Sequence, residues 1–175
     1  MADGLIPGSC AQDACTGAGE GRSPDAGGGP EPIAWAEPVV WAVVTGEPLD
    51  LRAHERAVRG DAFGAIVSFA GVVRDHDGGH AVRELEYVGH PSAGRVLREV
   101  ADTVVEQHPG VTVAVSHRLG LLAIGDLALA VAVAAAHRAE AFTVAALLVD
   151  EIKRALPIWK RQVFADGSHE WVACP

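Results

Sequence analysis

The residues best suited to chemistry are the two lysines of the chain, Lys153 and Lys160. The chain has 14 Lys+Arg residues, and all the others are arginine. An arginine stays protonated at any working pH, whereas a lysine amine can give up a proton. Two lysines retained among so many arginines, on either side of Pro157, indicate that an amine is needed there. The alternative is a solvated helix cation paired with Asp150 for Lys153, and a loop residue for Lys160.

A histidine–arginine pair, His137-Arg138, opens the predicted helix that carries Lys153. Backbone N–H groups at a helix N-terminus favour an anion, and Arg138 lies there. Arg74 ends another predicted strand, and two guanidinium groups can clamp a phosphate or carboxylate. Lys153 and Lys160 are the predicted catalytic residues. Arg74, His137 and Arg138 are predicted to bind the anionic substrate; the alternative for each arginine is an ordinary ion pair.

Two further histidine clusters are less promising. A second pair, His117-Arg118, also ends a predicted strand, but a hairpin through Gly125-Asp126 would place the two His-Arg pairs at opposite ends. We therefore expect His117-Arg118 to brace the turn before Gly120. The segment 75–80 has histidines and aspartates at a spacing compatible with metal, yet its turn-rich composition favours a mobile polar loop. We predict neither a metal nor a cofactor.

Composition indicates one domain with a tail. The chain has 175 residues, of which 49% are hydrophobic, and a net charge of −9. Residues 1–34 are rich in Gly, Pro and Ala and predict a disordered tail, leaving 35–175 as the domain. The body is mildly acidic without a basic stripe, which argues against general nucleic-acid binding. We expect no membrane span, no signal peptide and, with three cysteines near the ends, a cytoplasmic protein.

Periodicity predicts an α+β fold. Strands are expected at about 39–45, 63–74, 82–88, 111–115, 127–135 and 171–172, and helices at about 48–60, 92–108 and 138–155. This order mixes hairpins with crossovers, which favours a mixed, mostly antiparallel sheet with flanking helices. The strand at 127–135 is almost wholly apolar and therefore predicted to be central.

Several local details follow from the same patterns. Ser92 is expected to cap the second helix. Phe142, Ala145, Val149 and Ile152 are expected along one face of the third helix. Glycines in the strand at 63–74 indicate a bulge or a close backbone approach. Asp166-Gly167 is predicted to form a hairpin turn before the last strand.

Taken in order, these blocks resemble a known family. The resemblance rests on five sets of residues: Gly64-Ala65 with Phe69, Gly71 and Val73-Arg74; His117-Arg118-Leu119-Gly120; His137-Arg138 with Ala141-Phe142; Lys153 with Pro157-Ile158-Trp159-Lys160; and Asp166-Gly167 with Trp171. They look like the large, catalytic subunit of molybdopterin synthase, the MoaE family, over about residues 38–172.

The resemblance implies an α/β-hammerhead fold and a homodimer that forms a heterotetramer with two small ubiquitin-like carrier subunits. It also implies that the carrier's C-terminal Gly-Gly thiocarboxylate enters the pocket. Sulfur would then pass to cyclic pyranopterin monophosphate, giving the molybdopterin dithiolene. Arg74, His137, Arg138, Lys153 and Lys160 match the family's functional positions.

The sequence departs from the family pattern in two places. The segment 87–94 lacks the family's usual methionine, which is expected to alter one pocket wall. The basic residue that usually follows the Trp171 block is not found before Pro175, so that contact is missing or another arginine replaces it. Two alternatives remain open: a non-catalytic partner-binding paralogue of the same fold, and an unrelated phosphate-ester hydrolase.

Overall fold

The computed structural model of the chain describes residues 40–173. In chain order its elements are β1 (Val40–Thr45), α1 (Leu51–Ala57), β2 (Ala65–Val72), β3 (His76–Asp77), β4 (His80–Gly89), α2 (Ala93–Gln107), β5 (Thr112–Arg118), β6 (Gly120–Leu122), β7 (Leu127–Ala135), α3 (Arg138–Ala155), β8 (Ile158–Phe164) and β9 (His169–Ala173). The predicted α+β class with mixed, mostly antiparallel pairing is confirmed. The predicted tail, residues 1–34, lies outside the described residues.

The described strands form two sheets rather than the single sheet expected. The first has the order β1-β5-β7-β2, with β1 parallel to β5 and the other pairs antiparallel. β7 is central, as predicted, because both of its faces are covered. Val131 and Val133 face the core formed with α2 and α3, whereas Ala132 and Ala134 face the side of Val58. Successive side chains of a strand point to opposite faces, so a doubly covered strand is apolar throughout.

Helix α3 packs on the first sheet through a stripe of small and aliphatic residues. Its buried positions are Ala141, Val144, Ala145, Leu148, Val149 and Ile152. Of the four residues predicted along one face of this helix, Ala145, Val149 and Ile152 are buried, whereas Phe142 is 64% exposed. At about 100° per residue, Phe142 projects near the direction of Val149 and so lies at the edge of the buried stripe.

Helix α2 covers the same core, with its sequence-predicted bounds nearly reproduced. Leu97, Val104 and Val105 are buried in it. Ser92 is the residue before the helix, but its side chain makes no capping hydrogen bond. Its hydroxyl instead lies 2.8 Å from Nδ1 of His90. The predicted side-chain cap is therefore wrong, because a nearer local partner takes the hydroxyl.

The second sheet has the order β3-β4-β8-β9, with β6 added to β4. The hairpin turn at Asp166-Gly167 is confirmed between β8 and β9, with Gly167 at a φ of 86°. The predicted mobile loop at 75–80 is wrong, because His76–Asp77 pairs with β4 as a hairpin. Its turn residues Gly78 and Gly79 both have positive φ, the geometry that tight two-residue hairpins require.

Two glycines of the β2 segment, Gly64 and Gly71, lie where a side chain would be crowded by its neighbours. A Cβ on Gly64 would lie 2.6 Å from the carbonyl oxygen of Ala136, and the pairing of β2 with β7 shifts register between Gly71 and Val72. The predicted close approach and bulge are both confirmed. Among residues 40–173, no helix combines the length and apolar character required to cross a membrane.

Candidate active site

A cavity of about 450 Å³ lies where the end of β2, the C-terminal end of α3 and the second sheet meet. Its apolar lining includes Phe69, Leu85, Leu129, Leu156 and Ile158. Its polar and charged lining consists of Arg74, His76, Asp77, Tyr87, His117, Lys153, Lys160 and Gln162. Three of the five predicted site residues, Arg74, Lys153 and Lys160, therefore line one cavity.

Strand pairing decides which side chains of the second sheet face the cavity. Lys160 pairs with Tyr87 on one side and with Val172 on the other. Directly opposed residues of neighbouring strands project to the same face, and all three line the cavity. Lys160 is thus a strand residue with a defined direction, and the alternative that it belongs to a loop is wrong.

Lys160 is held by a carboxylate within the cavity. Its Nζ donates to Oδ2 of Asp77 at 2.8 Å, and Nε2 of Gln162 donates to the same oxygen at 2.8 Å. Nη2 of Arg74 donates to Oδ1 of Asp77 at a longer 3.3 Å. The hydrogen bond from Lys160, followed by that from Gln162, holds the pKa of Asp77 below its usual range. Asp77 is therefore ionised at neutral pH.

Lys153 has a different environment from Lys160. It lies in the last turn of α3 and is exposed, between the buried residues Ile152 and Leu156 that line the cavity floor. Within residues 40–173, no hydrogen bond or ion pair joins its ammonium to another side chain, and the alternative pairing with Asp150 is not formed. The cavity therefore contains one lysine with a counter-ion and one without.

His117 is a cavity residue that the sequence analysis misplaced. It is 4% exposed, and its ring meets the ring of Tyr87 edge to face with centroids 5.0 Å apart. Burial lowers the pKa of His117 to about 4, so the ring is neutral at pH 7. Nδ1 lies 2.9 Å from the carbonyl oxygen of Arg118 and must donate to it, which leaves Nε2 unprotonated.

A periodic signal for His117 was present in the sequence. Val113 and Val115 point into the core under α2 and α3, and a strand brings every second residue to the same face. His117 continues this series. Arg118 does brace a turn, but a later one than the predicted turn before Gly120: it binds Asp126 at 3.0 Å, and Asp126 accepts the backbone N–H of Ala123.

His137 and Arg138 lie away from this cavity. Both are exposed at the N-terminal end of α3, and Arg138 precedes Lys153 by fifteen positions. At a rise of 1.5 Å per residue the two positions are roughly 22 Å apart along the helix. Arg138 and Lys153 are therefore not neighbours within one chain.

The arrangement of the cavity suits a planar, anionic ligand. Arg74, Lys153 and Lys160 outnumber Asp77, so the polar wall has excess positive charge. Opposite it, aromatic and aliphatic side chains offer a surface for a ring system. A neutral imidazole acceptor at His117 completes a site with cations for an anion and an unpaired amine for proton transfer or attack.

Comparison with known proteins agrees with this geometry. A family model described as MoaE protein matches residues 44–155. Molybdopterin synthase catalytic subunit 1 of Mycobacterium tuberculosis is 41% identical over 130 residues, covering 74% of this chain and 88% of that protein. The molybdopterin synthase catalytic subunit of Staphylococcus carnosus is 36% identical over 127 residues, covering 72% of this chain and 84% of that protein.

Solved structures show the same fold. The crystal structure of molybdopterin synthase from Staphylococcus aureus aligns with a TM-score of 0.70 and 31% identity, over 75% of this chain and 96% of that one. A complex of subunits 1 and 2 of the molybdopterin-converting factor from Helicobacter pylori aligns with a TM-score of 0.60 over 76% of this chain and 89% of that one. At 20% identity, this likeness concerns the fold alone.

Proposed function

This chain belongs to the MoaE family, and on that basis we propose that it is the catalytic subunit of a molybdopterin synthase. In this function it transfers sulfur from the C-terminal thiocarboxylate of a small ubiquitin-like carrier to cyclic pyranopterin monophosphate, which forms the molybdopterin dithiolene. The observation that carries the proposal is the meeting of Arg74, Lys153 and Lys160 around one cavity. These residues come from the segment after β2, from α3 and from β8, so their convergence is a property of the fold.

We infer that the sulfur donor is a partner, because the described residues that line the cavity include no cysteine. The cysteines are Cys10, Cys15 and Cys174, and none lies within residues 40–173. A carrier chain ending in Gly-Gly is narrow enough to extend into a cavity of about 450 Å³. The complex of two subunits in the Helicobacter pylori structure is the kind of assembly we propose here. We also assign the protein to the cytoplasm, where such a carrier would be charged.

The cavity residues divide into binding and reacting groups. Arg74 and Lys160 are positioned to bind anionic groups of the substrate or the thiocarboxylate through charge-assisted hydrogen bonds. Lys153 is the amine that we assign to proton transfer or nucleophilic attack. The apolar wall would hold the pterin ring.

His137 and Arg138 enter this function only through a second copy of the chain. They are exposed, and within the described residues no hydrogen bond or ion pair occupies their side chains. Because roughly 22 Å of helix separates Arg138 from Lys153 in one chain, we propose that they bind substrate phosphate at the cavity of a partner subunit in a homodimer.

The outer face of the second sheet offers an apolar surface for such a dimer. Leu121, Trp159 and Trp171 are 60%, 41% and 54% exposed. Strand pairing places them on one face, opposite to that of Lys160, together with Glu86 and Arg161. Exposed hydrophobic surface of this kind marks an interface.

A single-turnover assay tests the proposed function directly. The purified protein is mixed with preformed thiocarboxylated carrier and cyclic pyranopterin monophosphate, and dithiolene formation is followed. We expect conversion without any added sulfur source. Carrier binding without conversion would instead support the non-catalytic paralogue, and release of inorganic phosphate from simple esters would support the hydrolase.

A further inference from the structure

Asp77 is an anion inside a cavity that we assign to an anionic substrate, and its placement needs an explanation. It lies on β3, where the pairing of Asp77 with His80 and the positive-φ residues Gly78 and Gly79 define a tight hairpin. Backbone hydrogen bonds from Val82 to Asp75 and from Ala165 to Ala81 attach this hairpin to the second sheet. The carboxylate is therefore held in place by ordered backbone.

The contacts of Asp77 differ in strength, and the difference indicates its role. Lys160 and Gln162 both donate at 2.8 Å, the Lys160 side chain is 20% exposed, and Gln162 is 2% exposed. A buried amide whose donor is satisfied by Asp77 cannot lose that partner cheaply. Arg74 donates at 3.3 Å, and its side chain is 65% exposed. The link to Lys160 is thus fixed, whereas Arg74 can leave Asp77 for a ligand.

We propose that Asp77 is a positioning residue of the sulfur-transfer site, which orients Lys160 as a permanently paired ammonium and leaves Lys153 as the amine without a counter-ion. This inference rests on the proposed function. It assigns different roles to the two lysines: Lys160 is a fixed cation that directs the substrate, and Lys153 is the group free to exchange a proton. Asp77 acts through Lys160 and does not itself touch the reacting atoms.

The charge of Asp77 makes a test possible that separates positioning from simple structural support. Asp77→Asn keeps the shape and one oxygen acceptor for Lys160 and Gln162, but it removes the negative charge that pairs with Lys160 and opposes an anionic substrate. We expect the single-turnover rate to fall at least about tenfold, as misplacement of a catalytic group does. Affinity for cyclic pyranopterin monophosphate should stay equal or become tighter. A variant that fails to fold, or that only loses contacts to the substrate, would instead bind cyclic pyranopterin monophosphate more weakly.

Two comparisons sharpen this test. Asp75→Asn removes the same charge from the same hairpin, but Asp75 binds the exposed His76 rather than Lys160, so its rate should match the wild type. In a Lys160→Gln background, Asp77→Asn should cause no further loss of rate. In a Lys153→Gln background, Asp77→Asn should still lower the rate by the same factor, because the effects of two independent residues add.

The two lysines also allow a measurement that needs no substrate. Selective ¹⁵N-lysine labelling gives two side-chain ammonium signals, because the chain has two lysines. We expect slow hydrogen exchange at Lys160 and fast exchange at Lys153, with Asp77→Asn accelerating exchange at Lys160 alone. Equal exchange at both sites, or an active wild type whose rate is unaffected by Asp77→Asn, would overturn the inference. A wild type with the expected exchange pattern but no sulfur transfer would contradict the proposed function instead.

Discussion

At the scale of single residues, the difference between Lys153 and an arginine is chemical. Lys153 is exposed beside the cavity and has no partner among the described side chains, so no counter-ion holds it away from a substrate. An arginine at this position would supply charge but no titrating amine. The choice of lysine matters here only if proton transfer or attack is required.

We therefore expect Lys153→Arg to fold and bind the carrier but to lose most single-turnover sulfur transfer, nearly as severely as Lys153→Ala. Lys160→Arg should lose less sulfur transfer, because an arginine can still supply the positive charge that we assign to Lys160. The matched control is Arg154→Lys on the same helical turn, where the side chain pairs with Glu151 outside the cavity. Near wild-type transfer by Lys153→Arg would show that Lys153 supplies charge alone.

His117 predicts a dependence of stability on pH. Burial lowers the pKa of His117 to about 4, whereas an unfolded histidine titrates near pH 6.5. Between these values the unfolded chain binds more protons than the native one, so the free energy of unfolding rises with pH. The stability is complete above about pH 6.5 and falls as the pH drops towards 4, by roughly 3 kcal/mol at most.

The measurement is the free energy of unfolding by denaturant at pH 7 and pH 4 for the wild type and His117→Gln. The glutamine variant should lose this part of the pH dependence. His169→Gln, which changes an exposed histidine on β9, should keep it. Identical pH profiles for the wild type and His117→Gln would contradict a buried neutral imidazole.

At the scale of elements, the junction of β2, β7 and α3 determines where Arg74 and His137 lie. Gly64 approaches the carbonyl of Ala136 just before His137 begins the helix. β2 then runs antiparallel to β7 and carries the chain to Arg74 beside the cavity. A shift at Gly64 would therefore be transmitted to strand register and helix start together.

Gly64→Ala should destabilise the protein by about 1–3 kcal/mol, because its Cβ would overlap a backbone oxygen that cannot move aside easily. Thermal and denaturant unfolding measure this loss. Gly46→Ala is the control, since a Cβ there meets nothing within 4 Å. Equal stability of the two variants would show that the strand and helix can separate without cost.

At the scale of the whole molecule, we propose that the site is complete only in a homodimer. One chain supplies Arg74, Lys153 and Lys160, while His137 and Arg138 lie at the other end of α3 from Lys153. The exposed tryptophans of the second sheet give a second copy an apolar surface to cover. The disordered tail predicted at 1–34 stays a prediction, because it lies outside the described residues.

Sedimentation at micromolar concentration should show a dimer, and Trp171→Glu should raise the monomer fraction by placing a charge on the proposed interface. Arg52→Glu on α1, whose side chain is 80% exposed, should leave the dimer intact. A wild type that sediments as a monomer with full sulfur transfer would contradict the homodimer and the assignment of His137 and Arg138.

The sequence by itself determined those features whose signal is local. Alternation and helical spacing identified the central strand β7 and the helix carrying Lys153, and side-chain chemistry singled out the two lysines. The hairpin turn at Asp166-Gly167 was equally readable, because glycine is needed at its positive φ. The strands β3 and β6 were missed because two or three residues are too few for a periodic pattern to emerge. The seven-residue strand β8 was missed because the polar run Lys160-Arg161-Gln162 interrupts its apolar alternation.

Only the tertiary structure decided which of these residues meet. Asp77 and Lys160 are 83 positions apart, and they share a hydrogen bond because β4 lies between β3 and β8 in one register. A slip of one residue in that pairing would turn Lys160 to the outer face with Trp159. The same rule separates His137 from Lys153, because a rigid helix holds its two ends apart however close they are in sequence.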